Sequence, residues 1–419
     1  MRAAAPVAIT GLGAVTALGV GRESLDLALR AGTSGIRGHA SGAAPLPVWA
    51  PLPETDVFSE AARLGIGEAA LERLRRSGHR ASPGLRCALV AAAEAWTQAG
   101  LDLRRDCKVG LIVAGSNLDN AGAGEAYGRV LAGKQVRPGY AAQFLDTEYV
   151  GVISEALSLL GEGYTAGGAS ASGGVALALG RRAILSGDVS AVLVLGAPML
   201  LSSAELSALS AMGALYRGEA GAIPAQACRP FDESAAGFVY GQGAAALVLE
   251  PYDSSQERHT RPLALLRGAS MALDGNRSTD PSAGGEVRVM REALAQAGLA
   301  PGSIDFVSTH GTSAALGDRT EVAALREVFH SVGANPRLNS TKALTGHCLS
   351  AAGVVEAVAT VLQLRSGYVH PNPTLKRPID SSMAWAGATA HQAALRSAMS
   401  NSFGFGGINS SQVFTVSEE

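Results

Sequence analysis

The sequence predicts an α/β protein whose sheets are covered on both faces. Three observations carry this. Short apolar runs that read as buried strands (Lys108–Ala114, Val189–Leu195, Ala244–Glu250) alternate with helical stretches. The 419 residues are 47% hydrophobic and 17% charged, below the usual ~25% charge, so the interior is large. Glycine supplies 52 residues, about 12% of the chain against an average near ~7%, and it clusters between strand-like and helix-like segments as tight turns do.

Along the chain, Val7–Thr10 reads as a strand and Gly11-Leu12-Gly13 as the turn that closes it. Ser24–Ala31 reads as a helix. Ala44–Pro53 contains Pro45, Pro47, Pro51 and Pro53 and is expected to be a surface loop. Ala88–Gly100 is an amphipathic helix ended by Gly100. A glycine-rich turn over Tyr164–Gly174 leads into a helical Val175–Ser186. Pro251–Pro262 is polar and charged and sets an expected boundary between two halves, 1–255 and 256–419. Strand Ile304–Thr309, helix Arg319–Phe329, helix Leu349–Leu364 and strand Leu395–Ser400 follow. No short repeat period is visible.

Composition removes several functions. The charge is balanced, 34 Lys and Arg against 36 Asp and Glu, for a net −2 and no basic run, which argues against electrostatic nucleic-acid binding. No apolar stretch reaches the ~18 residues of a membrane span; Ala191–Leu201 is interrupted by Gly196 and Pro198. Met-Arg-Ala-Ala-Ala-Pro runs straight into Val7 with no signal-peptide architecture. Of the four cysteines, Cys87, Cys107, Cys228 and Cys348, no two form a Cys-x-x-Cys pair. A reducing cytoplasm is the expected compartment. The eight histidines are scattered, without metal-ligand spacing, and no phosphate loop appears, so no metal is expected.

Four segments could carry chemistry. In Gly167-Gly168-Ala169-Ser170-Ala171-Ser172 the serine opens a helix, where free N–H groups favour negative charge. The bland reading is a helix cap, and the Gly-x-Ser-x-Gly hydrolase elbow fails because Ser172 stands where glycine is required. His310 ends an apolar strand and opens the loop His310-Gly311-Thr312-Ser313, a strand C-terminus of the kind that holds ligands in α/β folds. Lys342 and His347 lie beside a nearly uncharged helix, where each is costly unless paired. A helix N-terminus lowers the imidazole pKa, and a neutral ring can donate to a carbonyl oxygen. Finally, the glycines of Asn401–Asn409 let backbone N–H groups converge, or simply make a tight hairpin.

The order and spacing of these segments resemble the β-ketoacyl-carrier-protein synthases of the thiolase superfamily. The resemblance spans the chain, from Val7–Thr16 through Arg229-Pro230-Phe231-Asp232 and Gly237–Ala244 to both histidine motifs and the terminal Gly-Phe-Gly-Gly loop. It implies a five-layer αβαβα fold made of two similar halves, usually dimeric. It implies that His310 and His347 bind the extender thioester carbonyl and promote its decarboxylation. Lys342 would order the site against Glu321, Thr312 would contact the phosphopantetheine arm of an acyl carrier protein, Phe405 would gate the pocket, and Gly406 beside it would also bind substrate. Beyond that arm, no cofactor is implied.

One departure decides the reading. The family places its nucleophilic cysteine where this chain has Ser170. A helix N-terminus can draw a thiol to thiolate, whereas a serine hydroxyl needs an adjacent general base. The segment resembles the serine-bearing ketosynthase-like decarboxylases of polyketide β-branching cassettes, which turn malonyl-carrier protein into acetyl-carrier protein for a hydroxymethylglutaryl-synthase-like enzyme. Two other readings stand beside it: an acyltransferase or condensing enzyme acylated at Ser170, and a non-catalytic partner of a ketosynthase like a chain-length factor. A further departure, Ala314 and Ala315 after Ser313, removes a hydroxyl that would contact the carrier arm.

Overall fold

The computed structural model describes residues 5–39, 46–101, 108–218, 221–277 and 279–417. Ten strands build the main sheet: β1 (Val7–Thr16), β2 (Val109–Ala114), β3 (Gly163–Ala166), β4 (Ala191–Gly196), β5 (Gly243–Pro251), β6 (Ala264–Leu273), β7 (Phe306–Ser308), β8 (Arg337–Asn339), β9 (Ser397–Gly404) and β10 (Ile408–Thr415). A two-residue strand, Gly19–Val20, folds back on the end of β1. Across the sheet the order is β8-β7-β9-β10-β6-β1-β5-β4-β2-β3. The two halves carry one permutation: β1-β5-β4-β2-β3 and β6-β10-β9-β7-β8. Directions repeat as well. The pairs β2–β3 and β2–β4 are parallel, as are β7–β8 and β7–β9. The pairs β4–β5 and β5–β1 are antiparallel, as are β9–β10 and β10–β6. Between the half-sheets, β1 meets β6 antiparallel, with Val7 opposite Leu266 and Ile9 opposite Ala264.

The helices that matter for the site are α1 (Arg22–Ala31), α2 (Pro83–Ala99), α3 (Thr147–Leu157), α4 (Ser172–Ser186), α5 (Ser203–Ala211), α6 (Ala283–Ala297), α7 (Ala315–Val328) and α8 (Ala352–Ser366). α4 and α8 each pack on strands of both half-sheets and so form a central layer. α2 covers the outer face of β1 and β5, while α6 covers β6 and β10 with α7 beside it. The result is helix, sheet, helix, sheet, helix. Side-chain alternation follows from the strand period of two. Ile112, Val192, Val194, Leu247 and Leu249 point into the central core with α4 and α8. Their neighbours Leu111, Val113, Leu193, Leu195 and Val248 join α2 on the outside. Val307, Leu338, Met399 and Val413 make the matching outer core of the second half.

Three sequence expectations change. β1 does not stop at Thr10. It runs to Thr16, because Gly11 and Gly13 are not a turn but the seat of α2: a Cβ would lie 2.0 Å from Ala95 O at Gly11 and 1.9 Å from Ala91 O at Gly13. The expected surface loop 44–53 is buried over its described part. Val48, Ala50 and Leu52 are interior, and Ala50 exchanges backbone bonds with Tyr240 and Gln242; Ala44 and Pro45 lie outside the described residues. The helix starts also move N-terminally, to Pro83, with Ser82 as its cap, and to Ser172.

The central helices begin alike. A single 3₁₀ turn, Ala169–Ala171, precedes α4, and Leu349–Ala351 precedes α8. Each turn starts on a left-handed residue, Ala169 at φ 48° and Leu349 at φ 50°, a conformation costing an L-residue about 1 kcal/mol or more. In this register Ser170 matches Ser350 and Gly173 matches Gly353. The two glycines touch: a Cβ on Gly173 would lie 2.5 Å from Val354 N, and one on Gly353 would lie 2.8 Å from Gly174 N. The obstacle is backbone, which cannot step aside. Gly173→Ala is therefore expected to destabilise the fold by about 1–3 kcal/mol, as overpacking does, read as an earlier midpoint in denaturant unfolding.

Candidate active site

The meeting of α4 and α8 sets the site. Ser170 comes from the turn before α4. His347 comes from the segment before α8, where its backbone pairs with Val239 and Gly241. Ser170 Oγ and His347 Nε2 are 2.9 Å apart. His310 follows β7 and reaches the same place from the other side, with its ring centroid 5.7 Å from that of His347 and the planes 83° apart. Phe403, at the end of β9, packs on His310 at 5.6 Å, and Phe238 meets the edge of His347 at 5.2 Å. These residues open on a 530 Å³ cavity, lined also by Thr312, Phe405, Met199, Leu209 and Glu286.

Hydrogen bonds fix the protons on both imidazoles. The Leu349 N–H donates to His347 Nδ1 at 3.2 Å. That nitrogen is therefore bare, and the ring carries its proton on Nε2, which donates to Ser170 Oγ. Lys342 Nζ donates to the His310 carbonyl at 2.6 Å and to His310 Nδ1 at 3.4 Å, so His310 likewise carries its proton on Nε2. Burial pushes both imidazoles well below the ordinary histidine range, and the Lys342 charge adds to it. The site thus holds two neutral N–H donors.

Lys342 is itself buried, on the single helical turn Lys342–Thr345. Its ion pair is with Glu356 of α8, not with Glu321 as the resemblance implied. Glu321 is occupied elsewhere. Its two oxygens accept the backbone N–H groups of His310 and Gly311, both at 2.8 Å, and Asn401 Nδ2 approaches at 3.3 Å. Asp318, one turn earlier on α7, accepts from Thr312 N at 2.9 Å and Phe231 N at 2.7 Å. The two carboxylates hold the backbone of the histidine loop from behind. Glu356 was missed in the sequence, although a lone acid in an otherwise apolar helix beside a buried lysine was a usable signal.

Phe405 and Gly406 sit on the β9–β10 hairpin. Phe405 is exposed at the cavity wall. Gly406, at φ 84°, makes the turn and does not line the cavity, so its expected binding role has no geometric support; Gly404 and Gly407 line it instead. A Cβ on Gly404 would lie 2.5 Å from Gly168 O and 3.3 Å from Ser170 N, which is why this strand end must be glycine. The loop is anchored by Asp274, whose N–H donates to Gly407 O and whose carboxylate accepts from Asn409 Nδ2 at 2.8 Å. No described cysteine can serve as nucleophile. Cys87, Cys228 and Cys348 are buried, and burial pushes each thiol up to about 12; Cys107 lies outside the described residues. Among the described residues no cluster of metal-binding side chains occurs, and no helix is long and apolar enough to cross a membrane.

This layered fold, with a helix-start residue facing two histidines and a buried lysine, defines a condensing-enzyme architecture. The chain belongs to the β-ketoacyl synthase family: residues 4–255 match its N-terminal domain and residues 263–376 its C-terminal domain. It is 37% identical over 404 residues to the polyketide biosynthesis malonyl-ACP decarboxylase PksF of Bacillus subtilis strain 168, covering 96% of this chain and 94% of that protein. Among solved structures, a β-ketoacyl synthase from Burkholderia phymatum STM815 superposes with a TM-score of 0.87 at 26% identity, over 99% of this chain and 100% of that one. A type II polyketide ketosynthase in complex with its acyl-carrier protein gives 0.80 at 25% identity, with the same coverage.

Lys342→Met removes a charge that holds both imidazoles down. Their titrations should move to higher pH than in the native protein, where neither ring titrates near its ordinary 6.5. NMR of ¹³C-labelled histidines across pH 4–8 checks this.

Proposed function

We propose that this chain decarboxylates malonyl-acyl carrier protein to acetyl-acyl carrier protein and supplies acetyl units for polyketide β-branching. The observation that carries the reading is the direction of the His347–Ser170 hydrogen bond. Ser170 accepts the Nε2 proton, so no base is in place to take the serine proton, and an unassisted hydroxyl is a poor nucleophile. The donors remain for other work. Two neutral N–H groups beside one another match a thioester carbonyl whose oxygen gains charge as the bond to the carboxylate breaks. The electron pair of that bond becomes the enolate, CO₂ leaves, and a proton on carbon completes the acetyl group. Thr312 and Phe405 both line the cavity, which supports the reading of Thr312 as a contact for the carrier arm and Phe405 as the gate. The likeness to a malonyl-ACP decarboxylase over nearly the whole chain supports the same substrate.

The partners belong to this reading. An acyl carrier protein delivers the substrate, and a hydroxymethylglutaryl-synthase-like enzyme of the cassette takes the product. Among the described residues the sheet ends at β3, which pairs with β2 on one side; Tyr164 in it and Leu160 just before it are exposed. A second copy at this edge would give the homodimer, in the cytoplasm. The rival, acyl transfer through Ser170, would need the reverse direction, with His347 Nε2 bare and accepting the serine proton.

Intact-protein mass spectrometry separates the two. Malonyl-carrier protein converted to acetyl-carrier protein with the enzyme mass unchanged is the expected result; an acylated enzyme would move the assignment to transfer. Ser170→Ala should keep turnover within a few-fold, while His310→Ala and His347→Ala should each lose roughly 10²-fold or more, as removal of an oxyanion donor does. Ser170→Cys should restore a thiol at the helix start and gain an acyl adduct when given acyl-carrier protein.

A further inference from the structure

The proposed reaction needs a proton that the residues so far described do not supply. The enolate carbon must be protonated, yet both imidazoles are neutral and each Nε2 proton is committed to holding an oxygen. A neutral imidazole is also a poor acid. The cavity wall offers four carboxyls: Glu205, Asp274, Asp280 and Glu286. Glu205 is ionised within the capping box of α5, where the Ser202 hydroxyl donates to it and draws its carboxyl below the usual range. Asp274 holds the β9–β10 hairpin through Asn409, and Asp280 is exposed to solvent.

Glu286 differs from all three. It sits near the start of α6, is 1% exposed, lines the cavity, and its Oε2 has no hydrogen-bond partner among the described residues. A buried carboxylate with an oxygen left without a donor is expensive, whereas the protonated acid is less so. We propose that Glu286 is the proton donor that quenches the enolate. This inference rests on the decarboxylase reading above. Loss of CO₂ leaves the electron pair on the enolate; its α-carbon forms a C–H bond with the Glu286 carboxyl proton, giving acetyl thioester and the Glu286 carboxylate. The carboxylate regains a proton from solvent through the cavity mouth, so each turnover consumes one malonyl thioester and one proton. The surroundings favour the acid form at rest. Burial, with Glu321 of α7 and Asp274 beside it, pushes the Glu286 carboxyl up to about 10. It therefore holds its proton at neutral pH and recovers it after each cycle.

The test uses the full-length enzyme and malonyl-carrier protein, with Glu286→Gln and Glu286→Ala checked for native unfolding midpoints. Glu286→Gln keeps the side chain's shape but cannot give up a proton. Its kcat should fall about 10²-fold or more, with KM unchanged and a larger solvent deuterium isotope effect, because protonation becomes limiting. Glu286→Ala should be rescued by formic or acetic acid in proportion to concentration, which a merely structural residue would not be. A Glu286→Gln enzyme within a few-fold of native kcat overturns the proposal. So does the loss of activity in Glu286→Ala without acid rescue. If the native enzyme itself leaves malonyl-carrier protein intact, it is the decarboxylase reading that fails.

Discussion

The site depends on one steric constraint, the contact between the backbones of Gly173 and Gly353 where α4 and α8 begin. Two helices can start this close only if neither carries a side chain at the crossing. Their preceding turns then face each other across a few ångströms, and the residues just upstream, Ser170 and His347, come within hydrogen-bonding distance. The left-handed residues Ala169 and Leu349 swing each turn into line. Strain and close packing at the centre of the molecule are thus the means by which distant parts of the chain deliver side chains to one cavity.

Electrostatics completes what packing begins. Lys342 spends its three N–H groups on Glu356, the His310 carbonyl and His310 Nδ1. A buried ion pair adds little net stability, and here it selects a tautomer. The Leu349 N–H does the same for His347 at no cost in charge. Both rings end in the same protonation state by different routes, one through an ammonium and one through a backbone amide. Glu321 and Asp318 keep the loop from moving by accepting its N–H groups. In this arrangement the serine is a recipient of hydrogen bonding rather than a source of nucleophilicity.

Much of this was legible in the sequence. The alternation of apolar strands and helices, the serine at a helix start, and both histidine motifs stand out locally because each depends on neighbours within about ten residues. What was hidden depends on distant contacts. Gly11 and Gly13 look like a turn and are a packing surface, since the helix that needs them is some eighty residues away. Leu46–Pro53 looks like a surface loop by its prolines, yet it is stitched to Tyr240 and Gln242. The choice of Glu356 over Glu321 as the lysine's partner is set by the position of α8, which spacing along the chain does not encode. The repeat of the two halves is a repeat of strand order. At the matching helix starts Ser170 and Gly173 find their like in Ser350 and Gly353, while Ala169 faces Leu349 and Gly174 faces Val354, too little identity for a period to show.

The strand order also imposes a schedule on synthesis. Residues 7–251 supply all five strands of the first half-sheet, so that half can close while the rest of the chain is still on the ribosome. The second half cannot. β10, which ends at Thr415, must enter between β9 and β6, and it is made after every other strand of the sheet. The hairpin it forms with β9 carries Phe403, Phe405 and the glycine against Ser170. Assembly of the cavity is therefore late: a nascent chain can hold the serine, both histidines and the lysine in its emerged sequence but has no enclosed pocket until the strand ending at Thr415 has cleared the exit tunnel.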